Sequence, residues 1–189
     1  MDQLFQFFAT FQRMSETSLQ AIAGISGLLH IPKNQDLQPI GKTCKTIYFI
    51  NRGVARIYYY KDGQDITDSF AFENQVIVRV ESLFTGQPSR KGIQVLEDTE
   101  LVAIDALRLF EWYDRCPDIE RLFRKIFEAS HVDLVNRIEG MQFHSAEERY
   151  RALLEEAPDL ILRVPLKYIA SYLGITQVSL SRIRASNRF

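Results

Sequence analysis

The sequence predicts an α+β protein in which a β-rich segment lies between helical ends. Three observations predict this class. Short β-type runs broken by turn residues extend from about Leu28 to Ile104, an unbroken helical stripe runs from Asp118 to Met141, and residues 166–183 fit two short helices folded about Gly174. At 189 residues the chain can bury one large core or two small ones. With 46% hydrophobic and 25% charged residues it has the composition of an ordinary globular protein. No apolar run approaches the roughly 18–20 residues of a membrane span.

The elements follow in order. LFQFFATF is strongly apolar and reads as helix, and Ser15 opens a second helix with Leu19, Ile22 and Ile25 at helical spacing, closed by Gly24 and Gly27. The start carries an acid at Asp2 and lacks a basic region and a small-residue cleavage site, so it is not read as a signal peptide and a cytoplasmic address is expected. Strand candidates are TIYFI, VARIYYY, DITDSFAF, NQVIV, GIQVL and TELVAI. Asp62-Gly63 is the strongest hairpin signal, because both residues tolerate positive φ. Strands this short and evenly spaced point to a small barrel or sandwich.

Helix returns near Leu107. From Asp118 to Met141 there is no proline, and the only glycine is Gly140. Ile119, Leu122, Phe123, Ile126, Phe127, Leu134, Val135, Ile138 and Met141 form one stripe. Such a helix either packs on its own domain or forms a seam between two copies of the chain; the seam is favoured, because a bridging helix has little of its own chain to bury against. Ser145-Ala-Glu-Glu148 has capping-box spacing and opens the helix AEERYRALLEEA, which Pro158 helps to end. Pro165 marks the start of the next helix.

LKYIASYLGITQVSLSRI has the spacing of a helix-turn-helix. Ile169, Ala170 and Leu173 lie on one face of a short helix, Gly174 supplies a left-handed turn, and Ile175 plugs the corner. Thr176 is a natural N-cap, while Leu180 and Ile183 face back; Ala170 is small where the helices cross. On the second helix Gln177, Val178, Ser179 and Arg182 are the candidates for base contacts, since Gln pairs with adenine and Arg with guanine on the major-groove edge. Lys167, Thr176, Ser181, Arg184 and Arg188 are candidates for phosphate contacts. Charge agrees: residues 160–189 contain no acid and carry a net +5, leaving −6 on the first 159 residues of a chain whose total is −1.

No catalytic or metal-ligating set is found. His30, His131 and His144 lack ligand spacing, and Cys44 and Cys116 are too few for an all-cysteine cluster; a reduced pair is expected. An enzyme on a cupin-like barrel needs clustered ligands, yet the β segment contains only His30. The alternative to DNA binding is a ligand-binding sensor whose terminal hairpin mediates protein interaction. Salt-dependent affinity for duplex DNA separates the two.

A β-rich N-terminal domain, a long helix and a C-terminal helix-turn-helix together resemble the Crp/Fnr family of transcription regulators over nearly the whole chain. IYFINRGVARIYYYKDGQ is similar to that family's strand–Gly–strand–hairpin segment, with Gly53 at a tight turn, and TELVAI to the end of its β-roll. The resemblance implies an N-terminal double-stranded β-helix, a cyclic-nucleotide-binding-like jelly roll over residues 28–104, with flanking helices. It divides the chain into a sensor domain (1–117), a connecting and dimerisation helix (118–141) and a DNA-binding domain (142–189). It also implies a homodimer reading a two-fold symmetric site, controlled by an effector in the roll, with RNA polymerase as a further partner if the protein activates.

Two departures from the family pattern stand out. Family members that bind cyclic nucleotides carry Gly-Glu and, about ten residues on, Arg-Ser/Thr-Ala. The matching stretch here is VIVRVESLFTGQPSRKGIQVL. Without gaps, Arg79 falls at the Glu position and Ser89 at the Arg position; one deletion instead brings Arg90 to the phosphate position and Glu81 near the ribose position. Lys91-Gly92 replaces Ser/Thr-Ala and Val80 the glycine, so neither register rebuilds the motif. Arg79, Glu81, Ser82, Ser89, Arg90 and Lys91 remain effector-pocket candidates, and no cyclic nucleotide or other cofactor is expected. The sequence given ends soon after Arg184, so the family's β-hairpin wing is expected to be missing and the duplex grip reduced.

Overall fold

The computed structural model describes residues 1–186. Two helices, α1 (Asp2–Phe11) and α2 (Glu16–Gly24), precede the strands β1 (Ser26–Ile31), β2 (Asp36–Gln38), β3 (Thr46–Arg52), β4 (Ala55–Lys61), β5 (Gln64–Ala71) and β6 (Val76–Ile77). A short helix α3 (Val80–Thr85) leads to β7 (Gly92–Val95) and β8 (Thr99–Asp105). Helices α4 (Ala106–Glu111), α5 (Pro117–Phe143), α6 (Ala146–Glu156), α7 (Leu160–Arg163), α8 (Leu166–Tyr172) and α9 (Gln177–Ser186) follow.

The strands form two antiparallel four-stranded sheets, ordered β1-β8-β3-β6 and β2-β7-β4-β5. The predicted α+β jelly roll is therefore present, as an open sandwich and not a closed barrel. Asp62 and Gly63 both take positive φ, 51° and 75°, which turns β4 tightly into β5. Between the sheets Ile50, Ile57, Ile77, Ile93, Val95 and Leu101 fill the interior. The outer face of the first sheet buries Ile47, Phe49, Val102 and Ile104 against α1, α2, α4 and the start of α5.

The long helix answers the question its stripe left open, and answers it in halves. Ile119, Leu122, Phe123 and Ile126 are buried in the N-terminal core, where Phe8 meets Phe123 edge-on at 5.8 Å. The expectation that this helix has little of its own chain to cover it is thus wrong for the first half, because α1 lies across it. Beyond Phe127, Val132, Leu134, Val135, Ile138 and Met141 stay 40–56% exposed. No helix among the described residues is long and apolar enough to cross a membrane.

Candidate nucleic-acid interface

The C-terminal hairpin is built as its spacing predicts. Pro165 precedes α8 with φ −56° and donates no N–H that the first turn would leave unpaired. The chain reverses at Gly174, φ 70°, where the Ile175 N–H reaches back to the Ala170 carbonyl at 3.0 Å. Thr176 caps α9, its hydroxyl accepting from the Ser179 N–H at 3.1 Å. Ile169, Ala170, Leu173 and Leu180 are buried together against Tyr150 and Leu153 of α6 and against Leu160 and Val164. The capping box opening α6 is present in both directions, Ser145 to the Glu148 N–H and Glu148 to the Ser145 N–H.

This core leaves one face of α9 open. Gln177, Val178, Ser181 and Arg182 are exposed, and Val178 shows 61% of its surface. Ser179 is only half-buried, but its hydroxyl lies 3.0 Å from that of Thr176, so the cap already engages it. Lys167 is exposed, its ammonium 4.7 Å from the Tyr168 ring, and Arg184 is half-buried. Arg188 lies outside the described residues. Neither α8 nor α9 carries an acid, and Lys167, Arg182 and Arg184 give the pair a net positive charge.

Sequence reasoning missed how firmly this unit is mounted. Arg163, seen there only as a charge, lies between Glu73 and Glu97 of the roll: it donates to Glu73 through both terminal nitrogens (3.1 Å from Nη1) and to Glu97 at 2.6 Å. Burial pushes the Glu73 carboxyl up, but the bonds from Arg163 and the Gly53 N–H outweigh it and hold the group below the usual glutamate range. Arg56 of β4 is buried, paired bidentately with Asp65 at 2.6 and 2.7 Å, and lies 3.7 Å from the centre of the Tyr168 ring of α8. The Thr67 N–H on the free edge of β5 donates to the Ser171 hydroxyl at 3.0 Å. Only a basic residue beside the predicted hairpin hinted at these contacts.

The effector-pocket candidates are drawn into internal pairs. Arg79 donates to the Ser89 hydroxyl at 3.2 Å and pairs with Glu81, so the two positions aligned without gaps do face each other and are already bonded. Ser82 is buried and used structurally, accepting from the Cys44 N–H at 2.9 Å and donating to the Gln87 carbonyl. Lys91 is neutralised by Asp68 at 2.7 Å, while Arg90 is exposed. In the register with one deletion Gly92 falls at the alanine of the motif, and a Cβ there would lie 2.6 Å from the Tyr58 ring, which Asp36 holds by its hydroxyl at 2.8 Å.

A family profile described as the cyclic nucleotide-binding domain matches residues 28–116. Among solved structures, the chain is similar to FixK2 from Bradyrhizobium japonicum, with TM-score 0.74, 17% identity, and 86% of this chain and 84% of that one covered. It is similar to a protein assigned to the Crp/Fnr family of transcriptional regulators from Eubacterium rectale, with TM-score 0.71, 18% identity, and 92% and 83% covered. The c-di-GMP responsive global regulator CLP of Xanthomonas campestris gives TM-score 0.70 at 14% identity, with 91% of each chain covered. No curated protein matches the chain by sequence. At these identities the likeness is one of fold.

Proposed function

We propose, from the match of residues 28–116 to the cyclic nucleotide-binding domain profile and from a fold like that of Crp/Fnr regulators, that the chain is a homodimeric, sequence-specific DNA-binding transcription regulator acting in the cytoplasm. The observation that supports this most is the exposed face of α9, where Gln177, Val178 and Arg182 project from a capped helix that carries no acid. Arg182 lies one turn beyond Val178 and shares its face, so both enter the major groove together. Lys167, Ser181 and Arg184 then anchor phosphates and fix the register. The apolar residues left exposed on the second half of α5 supply the seam with a second copy. An activating role would add RNA polymerase as a partner.

The roll acts without a cyclic nucleotide. Arg79 and Lys91 already spend their charge on Glu81 and Asp68, and the interior between the sheets is filled by branched aliphatic side chains. Cyclic AMP or cyclic GMP is therefore expected to leave the melting temperature unchanged, since a ligand of the native state raises it by mass action.

The deciding experiment is selection from a random duplex library at two salt concentrations, with wild type and Arg182→Ala. The expected result is a palindrome with half-sites about one helical turn apart, weakened by salt and lost in the variant. Weak binding indifferent to Arg182 would instead favour a hairpin that contacts protein.

A further inference from the structure

The end of α8 is a three-way joint. The Tyr172 ring lies 5.1 Å from the Phe70 ring of β5 on the roll and 3.9 Å from the Arg137 guanidinium of α5. Arg137 also donates to the Tyr172 carbonyl at 3.3 Å, and Arg149 of α6 donates to the next carbonyl, Leu173, at 2.8 Å. Two arginines thus take carbonyls that the helix end leaves without partners. One residue on, a Cβ at Gly174 would lie 3.2 Å from the methyl of Met141. The turn of the hairpin therefore rests on the same last turns of α5 that leave Ile138 and Met141 exposed.

We infer that Arg137 and Phe70, gripping Tyr172 from the long helix and from the roll, are positioning residues that fix the separation of the two reading helices in the dimer. The inference rests on the dimeric DNA-reading function proposed above. Arg137 touches no base; it acts by holding Tyr172, and through it α8 and α9, at one angle to the seam. A seam and a reading head joined by such a bracket tolerate one half-site spacing. A loosened bracket lets each head turn independently, so several spacings become equivalent while the bases preferred within each half-site stay the same.

The test is selection from a random duplex library with wild type, Arg137→Ala, Arg137→Lys and Phe70→Leu, reading half-site sequence and centre-to-centre spacing separately. Wild type is expected to enrich one spacing. Arg137→Ala is expected to spread the distribution over neighbouring spacings, keep the half-site sequence, and bind the wild-type site about two- to fivefold more weakly, the scale of an exposed cation–π contact. Arg137→Lys, which keeps the charge but loses the planar stack, falls between them. Phe70→Leu reads the joint from the roll side and serves if the alanine variant does not fold. Wild-type spacing retained in Arg137→Ala and in Phe70→Leu overturns the inference, as does loss of half-site preference itself, which would make these residues supports of the hairpin fold. Wild type enriching no paired half-sites overturns the parent reading, and the inference with it.

Discussion

Three glycines show how much of this fold rests on the absence of a side chain. Gly174 holds a left-handed turn, and its missing Cβ leaves space for Met141. Gly174→Ala is expected to cost about 1–2 kcal/mol from the backbone alone, with further loss at the Met141 contact, seen as a lower melting temperature and weaker DNA binding. Gly53, φ 116°, sits directly over the Thr99 side chain, so alanine there is strained twice. Gly92 makes room for Tyr58. Gly92→Ala is expected to lower the melting temperature, and Gly92→Ala with Tyr58→Leu to recover part of it. The first of these glycines was legible in the sequence because its neighbours Ile169, Leu173 and Leu180 carried the pattern around it. The meaning of Gly92 was not, since Tyr58 becomes its neighbour only when β4 and β7 pair.

Among the elements, legibility followed length and capping. The Ser145–Glu148 box and the Asp62-Gly63 hairpin are local in sequence and formed as read; Ser145→Ala is expected to cost about 1 kcal/mol, measured by thermal unfolding. The short helices α3 and α7 escaped detection because four to six residues, Val80–Thr85 and Leu160–Arg163, carry too little periodicity to stand out. NQVIV kept only Val76–Ile77 as strand. In α5 the stripe was legible but its division was not. Periodicity shows which face is apolar and says nothing of what covers it, and the covering of Ile119 to Ile126 comes from α1, far off in sequence. Ile138→Asp is expected to abolish the proposed self-association, read by sedimentation velocity, while leaving the secondary structure unchanged, because its side chain is half exposed in the single chain.

At the scale of the molecule, the roll and the hairpin share one apolar cluster, in which Val54 and Leu96 of the roll lie with Ile169 and Leu173. The Arg163 bracket adds charge to that contact. Because the native Glu73 carboxyl titrates below its ordinary range, its contribution is complete above that range and is lost as pH falls through the depressed native value. Melting curves of wild type and Glu73→Gln are therefore expected to differ most near neutral pH and to converge in acid. That the two units dock at all was not legible, since Glu73, Glu97, Arg56 and Thr67 reach α7 and α8 only through the folded roll.

The bond from Thr67 to Ser171 has one more consequence. β5 is the last strand of its sheet, and α8 lies along its outer side. Lifting the hairpin away would unpair the Thr67 amide and uncover the outer edge of β5 beside Phe70 and Phe72, a place where another chain can add a strand. The contact between α8 and β5 thus covers an edge that would otherwise be open to self-association.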